Sequence, residues 1–188
     1  MSNDLRPHAP GATIFFTARL EQRGDDLLRR EIERLRQAVR ITRAERPFAI
    51  DAWVVLPGHI QTIWTLPEGD RDYSTRWRLI KARFSQGLRP GPQGASPRLR
   101  REGGIWQRRF SEHHLRDPAD FDRHLHLCLA APVRLGLARR AEDWPWSSIH
   151  HLPEYRAAAS GASYDAPDVG RQTERVMPPS TRRFCPVI

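Results

Sequence analysis

The sequence predicts an α+β domain of the ferredoxin-like plan: an antiparallel sheet with helices on one face, followed by an extra C-terminal segment. Three observations lead there. Several short segments are rich in β-branched and aromatic residues, amphipathic runs with a helical repeat separate them, and one strand pair is joined through Pro57-Gly58, a hairpin signal. In chain order the elements read strand, helix, strand, strand, helix, strand, helix.

Residues 11–20 hold Ile14, Phe15, Phe16 and Thr17, a run stiff enough to favour the first strand, and Gly24-Asp25-Asp26 ends it. Asp25 or Asp26 caps a helix in which Leu28, Ile32, Leu35 and Val39 recur at spacings of four, three and four. Arg29, Arg30, Arg34, Arg36, Arg40 and Arg43 crowd the rest of it, a charge run read first as a solvated face and second as a nucleic-acid contact. Pro47 closes the helix, and residues 48–56 and 59–66 form the hairpin, with His59 and Gln61 on one face because side chains alternate along a strand.

A second helix is predicted over 73–88, with Trp77, Ile80 and Phe84 on its core stripe and Arg76, Lys81 and Arg83 outward. A Gly/Pro-rich basic segment, 89–103, is expected to be a mobile loop inside a domain spanning 1–152. Residues 104–114 read as a fourth strand, and Asp117-Pro118 starts a third helix that Pro132 bends or ends. Trp144-Pro145-Trp146 is expected to pack the terminal element onto the body, and periodicity fades over 153–188, a weakly ordered tail.

Composition narrows the function. At 188 residues the chain is one domain, with 31 basic against 22 acidic residues, a net charge of +9 and a pI near 10.9. Arginine usage alone reflects codon bias, since Lys81 is the only lysine, but codon bias does not create an excess of positive charge, which favours a polyanionic partner such as nucleic acid. Cys128 and Cys185 make no CxxC pair, so neither a disulfide framework nor a zinc site is indicated. No apolar run is long enough to span a bilayer, so a cytoplasmic location without a membrane partner is expected. Phosphate-contacting cations and a stacking ring are sought among Arg78, Lys81, Arg83, Trp106, Arg108 and Arg109; strand alternation would put Arg108 on the side of Trp106 and Arg109 on the other.

The most informative stretch is Ala52-Trp53-Val54-Val55-Leu56-Pro57-Gly58-His59-Ile60-Gln61-Thr62-Ile63-Trp64. With it go Leu66-Pro67-Glu68-Gly69-Asp70, Tyr73-Ser74, Arg76-Trp77, Gly104-Ile105-Trp106-Gln107-Arg108-Arg109-Phe110, Glu112-His113-His114-Leu115-Arg116-Asp117 and Asp143-Trp144-Pro145-Trp146-Ser147-Ser148. Across roughly 7–151 these segments resemble the REP-associated tyrosine transposases, a branch of the single-tyrosine HUH DNA transposases. The resemblance implies a sheet of the HUH-endonuclease type and a partner in hairpin or single-stranded DNA of the repetitive extragenic palindromes. It also implies a His-hydrophobe-His pair that holds a divalent cation, Mg or Mn, against the scissile phosphate.

In this chain the second histidine of that pair is Gln61. The family's nucleophilic tyrosine and third ligand, an asparagine four residues on, correspond to Leu127 and Ala131 in His124-Leu125-His126-Leu127-Cys128-Leu129-Ala130-Ala131-Pro132-Val133-Arg134. Leucine has no oxygen to attack phosphorus and alanine no atom to bind a metal. His59 and Gln61 remain as metal-ligand candidates, no catalytic residue is intact, and no cofactor is expected unless activity survives. The reading is a DNA-binding pseudoenzyme, monomer or dimer. The alternatives are an active transposase or endonuclease using His126 or Tyr155 as nucleophile, and a folded remnant without specific binding.

Overall fold

The computed structural model describes residues 11–22, 24–88, 104–152 and 155. Strands β1 (Thr13–Arg19), β2 (Ala49–Leu56), β3 (His59–Thr65) and β4 (Ser111–His114) form an antiparallel sheet in the order β2-β3-β1-β4. Helices α1 (Leu27–Arg30), α2 (Ile32–Glu45), α3 (Tyr73–Ser85), α4 (Pro118–Leu129) and α5 (Ala131–Arg134) pack around it, with 3₁₀ turns at Ala141–Asp143 and Ser148–His151. The basic segment 89–103 and, apart from Tyr155, the tail beyond 152 lie outside the described residues.

Alternation divides the sheet into two faces. On the first, Phe16, Val55, Ile60 and Trp64 meet Leu35 and Val39 of α2 and Trp77, Ile80 and Phe84 of α3. Trp64 stacks on Trp77 with ring centroids 4.5 Å apart, and Phe48 and Phe16 pack against Trp64 at 4.3 and 4.9 Å. On the second face Ala52, Val54, Leu56 and Ile63 lie under Leu125, Cys128 and Leu129 of α4.

The α+β class and antiparallel sheet are as the sequence predicts, but the helices do not share one face. The reason is in β2: five consecutive residues, 52–56, are buried, and a strand apolar on both sides requires cover on both sides. The α4 helix supplies it. Its start is fixed as expected: Asp117 accepts a hydrogen bond from the Asp120 amide at 2.8 Å and Pro118 opens the first turn.

Two further expectations are corrected. The fourth strand shortens to Ser111–His114: upstream the ladder reduces to a single bridge from Trp106 to Leu20, and Trp106 and Phe110 pack against the first core from irregular backbone. Arg76 is 2% exposed rather than outward: its guanidinium donates to both Asp70 carboxylate oxygens and to the carbonyls of Arg46, Pro47 and Asp72. It thereby satisfies backbone acceptors left open where α2 ends.

The arginine-rich stripe along α1 and α2 is largely a solvated, ion-paired face, with Arg30 held by Asp25 and Asp26, Arg34 by Glu31, and Arg36 by Glu33. The last described turns are tied to the β2 edge. Trp144 donates its indole N–H to the Val55 carbonyl at 2.9 Å, and the Arg29 guanidinium sits over the Trp146 ring at 4.7 Å. Among the described residues no helix is long and apolar enough to cross a membrane.

Candidate functional site

The second face carries the polar groups. His59 opens β3 opposite Arg19, and Gln61 lies opposite Thr17, so both side chains point to the face that α4 crosses. Burial, reinforced by the Arg19 charge, lowers the His59 pKa to about 4, which keeps its imidazole neutral and able to donate a lone pair at neutral pH. The Gln61 Oε1 atom is buried and has no hydrogen-bond partner. A neutral imidazole next to an unsatisfied amide oxygen is a donor pair that fits a divalent cation.

The two side chains singled out on α4 and α5 are chemically inert. Leu127 is half-buried on α4, and Ala131 is buried at the start of α5 within the second core. Cys128 is a fully buried free thiol whose pKa desolvation raises far above its ordinary value, so it is no nucleophile. His126 is exposed, and its ring meets that of Tyr155 at 5.5 Å. The Tyr155 hydroxyl donates to Asp122 at 3.4 Å, and its ring packs against the second core.

A second polar cluster occupies the β4 end of the same face. His113 Nε2 lies 3.0 Å from Asp120 Oδ2, His124 Nδ1 lies 3.1 Å from Asp120 Oδ1, and the two rings stack at 4.4 Å. Asp120 is buried, and it also accepts from the Arg116 amide and pairs with Arg123. Burial raises its pKa, but the hydrogen bonds from His113, Arg116 and Arg123 outweigh that and bring it to about 2, so the carboxylate is ionised.

The six candidate contact residues lie on another side, along α3 and the segment before β4. Arg78, Arg108 and Arg109 are exposed; Arg108 and Arg109 do not alternate, since they precede the strand. Arg83 is engaged by both Glu45 carboxylate oxygens, at 2.7 and 2.6 Å, and by Thr42. Lys81 donates to the Gln107 carbonyl at 2.8 Å beneath the rings of Trp106 and Phe110, and desolvation lowers its pKa to about 8. Trp106 packs edge-on against Phe84 at 5.3 Å. A groove of about 630 Å³, lined by Arg36, Arg40, His150 and His151 among others, is a further basic surface.

No family model matches the chain. A REP-associated tyrosine transposase of Escherichia coli K12 is 41% identical over 152 residues, spanning 80% of this chain and 84% of the relative. The chain belongs to the REP-associated tyrosine transposases. A Haemophilus influenzae relative with the same family designation is 38% identical over 152 residues, 80% of this chain and 86% of its own. A solved REP-associated tyrosine transposase, bound to a REP hairpin, superposes with a TM-score of 0.68 at 37% identity over 95% of this chain and all of that one.

In this REP-associated tyrosine transposase, β3 presents His59 and Gln61 on the second face, α4 carries Leu127 and α5 opens with Ala131. The cluster of His113, Asp120 and His124 was not among the residues that the sequence singled out. The i, i+4 spacing of Asp120 and His124 on a capped helix was the available signal.

Proposed function

We propose that this member of the family binds hairpin or single-stranded DNA of the REP type and does not cleave it. The observation that carries the reading is Leu127: a half-buried hydrocarbon stands on α4 at the position to which the resemblance assigns the family's nucleophile. Strand cleavage by covalent catalysis requires an activatable oxygen, nitrogen or sulfur held in reach of phosphorus, and leucine offers none.

Support for binding comes from the net charge of +9, the exposed Arg78, Arg108 and Arg109, and the hairpin-bound relative. Unpaired bases of a hairpin foot suit aromatic and guanidinium planes, and the phosphates suit the free arginines. His59 and Gln61 would hold a divalent cation, Mg or Mn, with Ala131 adding nothing. Bound there, the ion would neutralise phosphate charge on the second face.

The test is a pair of gels on one labelled hairpin with a single-stranded foot, in Mg or Mn. A native gel should show retention that weakens with salt and exceeds that of a scrambled strand. A denaturing gel should show intact, unattached DNA. Any covalent protein-DNA band overturns the reading, and equal retention of the scrambled strand reduces it to charge alone. The combined variant Leu127→Tyr, Gln61→His, Ala131→Asn should produce that covalent band.

A further inference from the structure

We propose that His113, Asp120 and His124 form a second cation site, one that takes a divalent first-row transition metal such as Mn, Co, Ni or Zn. It is independent of the His59 pair and does not rest on DNA binding.

The three side chains come from two elements. Pairing of β4 with β1 sets His113 beside Phe15, and the capped first turn of α4 brings Asp120 to it, with His124 one turn further on. One donor atom from each lies within 4.8 Å of the others, and they are the only such group among the described residues. Two imidazoles on a carboxylate are the donor set of transition-metal sites; nitrogen donors favour these ions over magnesium.

The spacing agrees. Donors in adjacent positions around an octahedral ion with bonds of about 2.1 Å are about 3.0 Å apart; His113 Nε2 lies 3.0 Å from Asp120 Oδ2 and His124 Nδ1 3.1 Å from Oδ1, so a carboxylate bound through both oxygens has one imidazole nitrogen beside each. Each imidazole now presents a shared proton to the carboxylate or to the Asp120 carbonyl. Metal binding moves that proton to the other ring nitrogen and puts the ion in its place. His113 is 41% exposed, which lets its ring close on His124 and leaves one side of the ion open to water or a phosphate oxygen. Arg123, 59% exposed, can release Asp120 into solvent contact at little cost.

Geometry separates this site from the first. His113 is opposite Phe15, which is opposite Ile63, so β1 lies between the cluster and the strand that bears His59 and Gln61. Two strand spacings put roughly 10 Å between them, so no single ion contacts both.

The experiment is calorimetric titration of the full chain, free of DNA, with Mn and with Zn, alongside NMR of the histidine side chains in the presence of Mn. One equivalent should bind at this site, ahead of any second equivalent taken by the His59 pair, with the His113 and His124 resonances broadened first. His113→Gln and His124→Gln should each weaken binding by more than the about 10-fold typical of losing an outer partner, whereas His59→Gln should leave this equivalent in place. The NMR arm needs no variant, so misfolding of a variant does not rescue the idea. Absence of binding at millimolar metal, or broadening that spares these two histidines, overturns it. A purely structural hydrogen-bond hub would give that result.

Discussion

The two faces of the sheet are built to different standards. The first is closed by α2 and α3 over stacked aromatics, and its one buried charge, Arg76, has every partner it needs. The second is apolar only at β2 and the neighbouring part of β3. Toward β1 and β4 it holds a neutralised histidine, an unpartnered amide oxygen and a carboxylate shared by two imidazoles. Unpartnered buried polar atoms occur on both faces, the Trp64, Trp77 and Trp106 indole N–H groups on the first and the Gln61 oxygen on the second; what sets the second apart is that its polar groups, a neutral imidazole, an amide oxygen and a carboxylate between imidazoles, are of the types that bind cations. The first face therefore carries the fold and the second the binding chemistry.

That contrast sets the order of expected effects. Trp64→Ala on the first face removes a fully buried ring stacked on Trp77, and should lower unfolding free energy by about 3–5 kcal/mol in urea denaturation. Arg76→Ala should come next, at about 3 kcal/mol, because it strands Asp70 and three backbone carbonyls. A loss below about 1 kcal/mol for either would mean that this face is not the structural one.

The pH dependence probes the second face. His59 titrates at 6.5 when unfolded and at about 4 when folded, so the folded state binds fewer protons between those values. Stability is therefore full above the unfolded value and falls as pH drops from 6.5 toward 4, by about 2 kcal/mol between pH 7 and pH 5. His59→Gln should flatten that part of the profile, while leaving the further loss below pH 4, where Asp120 with its pKa of about 2 is protonated on the way down. An unchanged slope between pH 7 and pH 5 in the variant would show that His59 is not the titrating group.

How far the sequence carried the reading follows the same divide. Local chemistry was legible: Asp117 caps its helix, Pro57-Gly58 turns the hairpin, and alternation puts His59 and Gln61 on one side. Interactions set by distant packing were not. Arg76 sits at an outward-looking position of the helical pattern, and only the incoming carbonyls of Arg46 and Pro47 explain its burial. Trp106 and Phe110 imitate a strand in composition, yet each serves the first core. The His113, Asp120, His124 cluster straddles the β4–α4 boundary, and no periodicity in one element announces contact between two. The second-face cover by α4 was implied by the unbroken apolar run in β2, a signal read as a simple hairpin strand.

The smallest predicted effect is the most discriminating, because its sign is opposite to the rest. Gln61→Leu keeps the volume on β3 but deletes a buried oxygen that has no partner, so the unliganded protein should gain about 1 kcal/mol. The same change removes one of the two donors available beside β1, and cation-dependent retention of the DNA hairpin should fall while the salt-sensitive part from the exposed arginines persists. A stabilised variant with weakened binding is the signature of a residue kept for a ligand at the expense of the fold. Destabilisation instead would mean that Gln61 is satisfied within the apo protein and is kept for the fold.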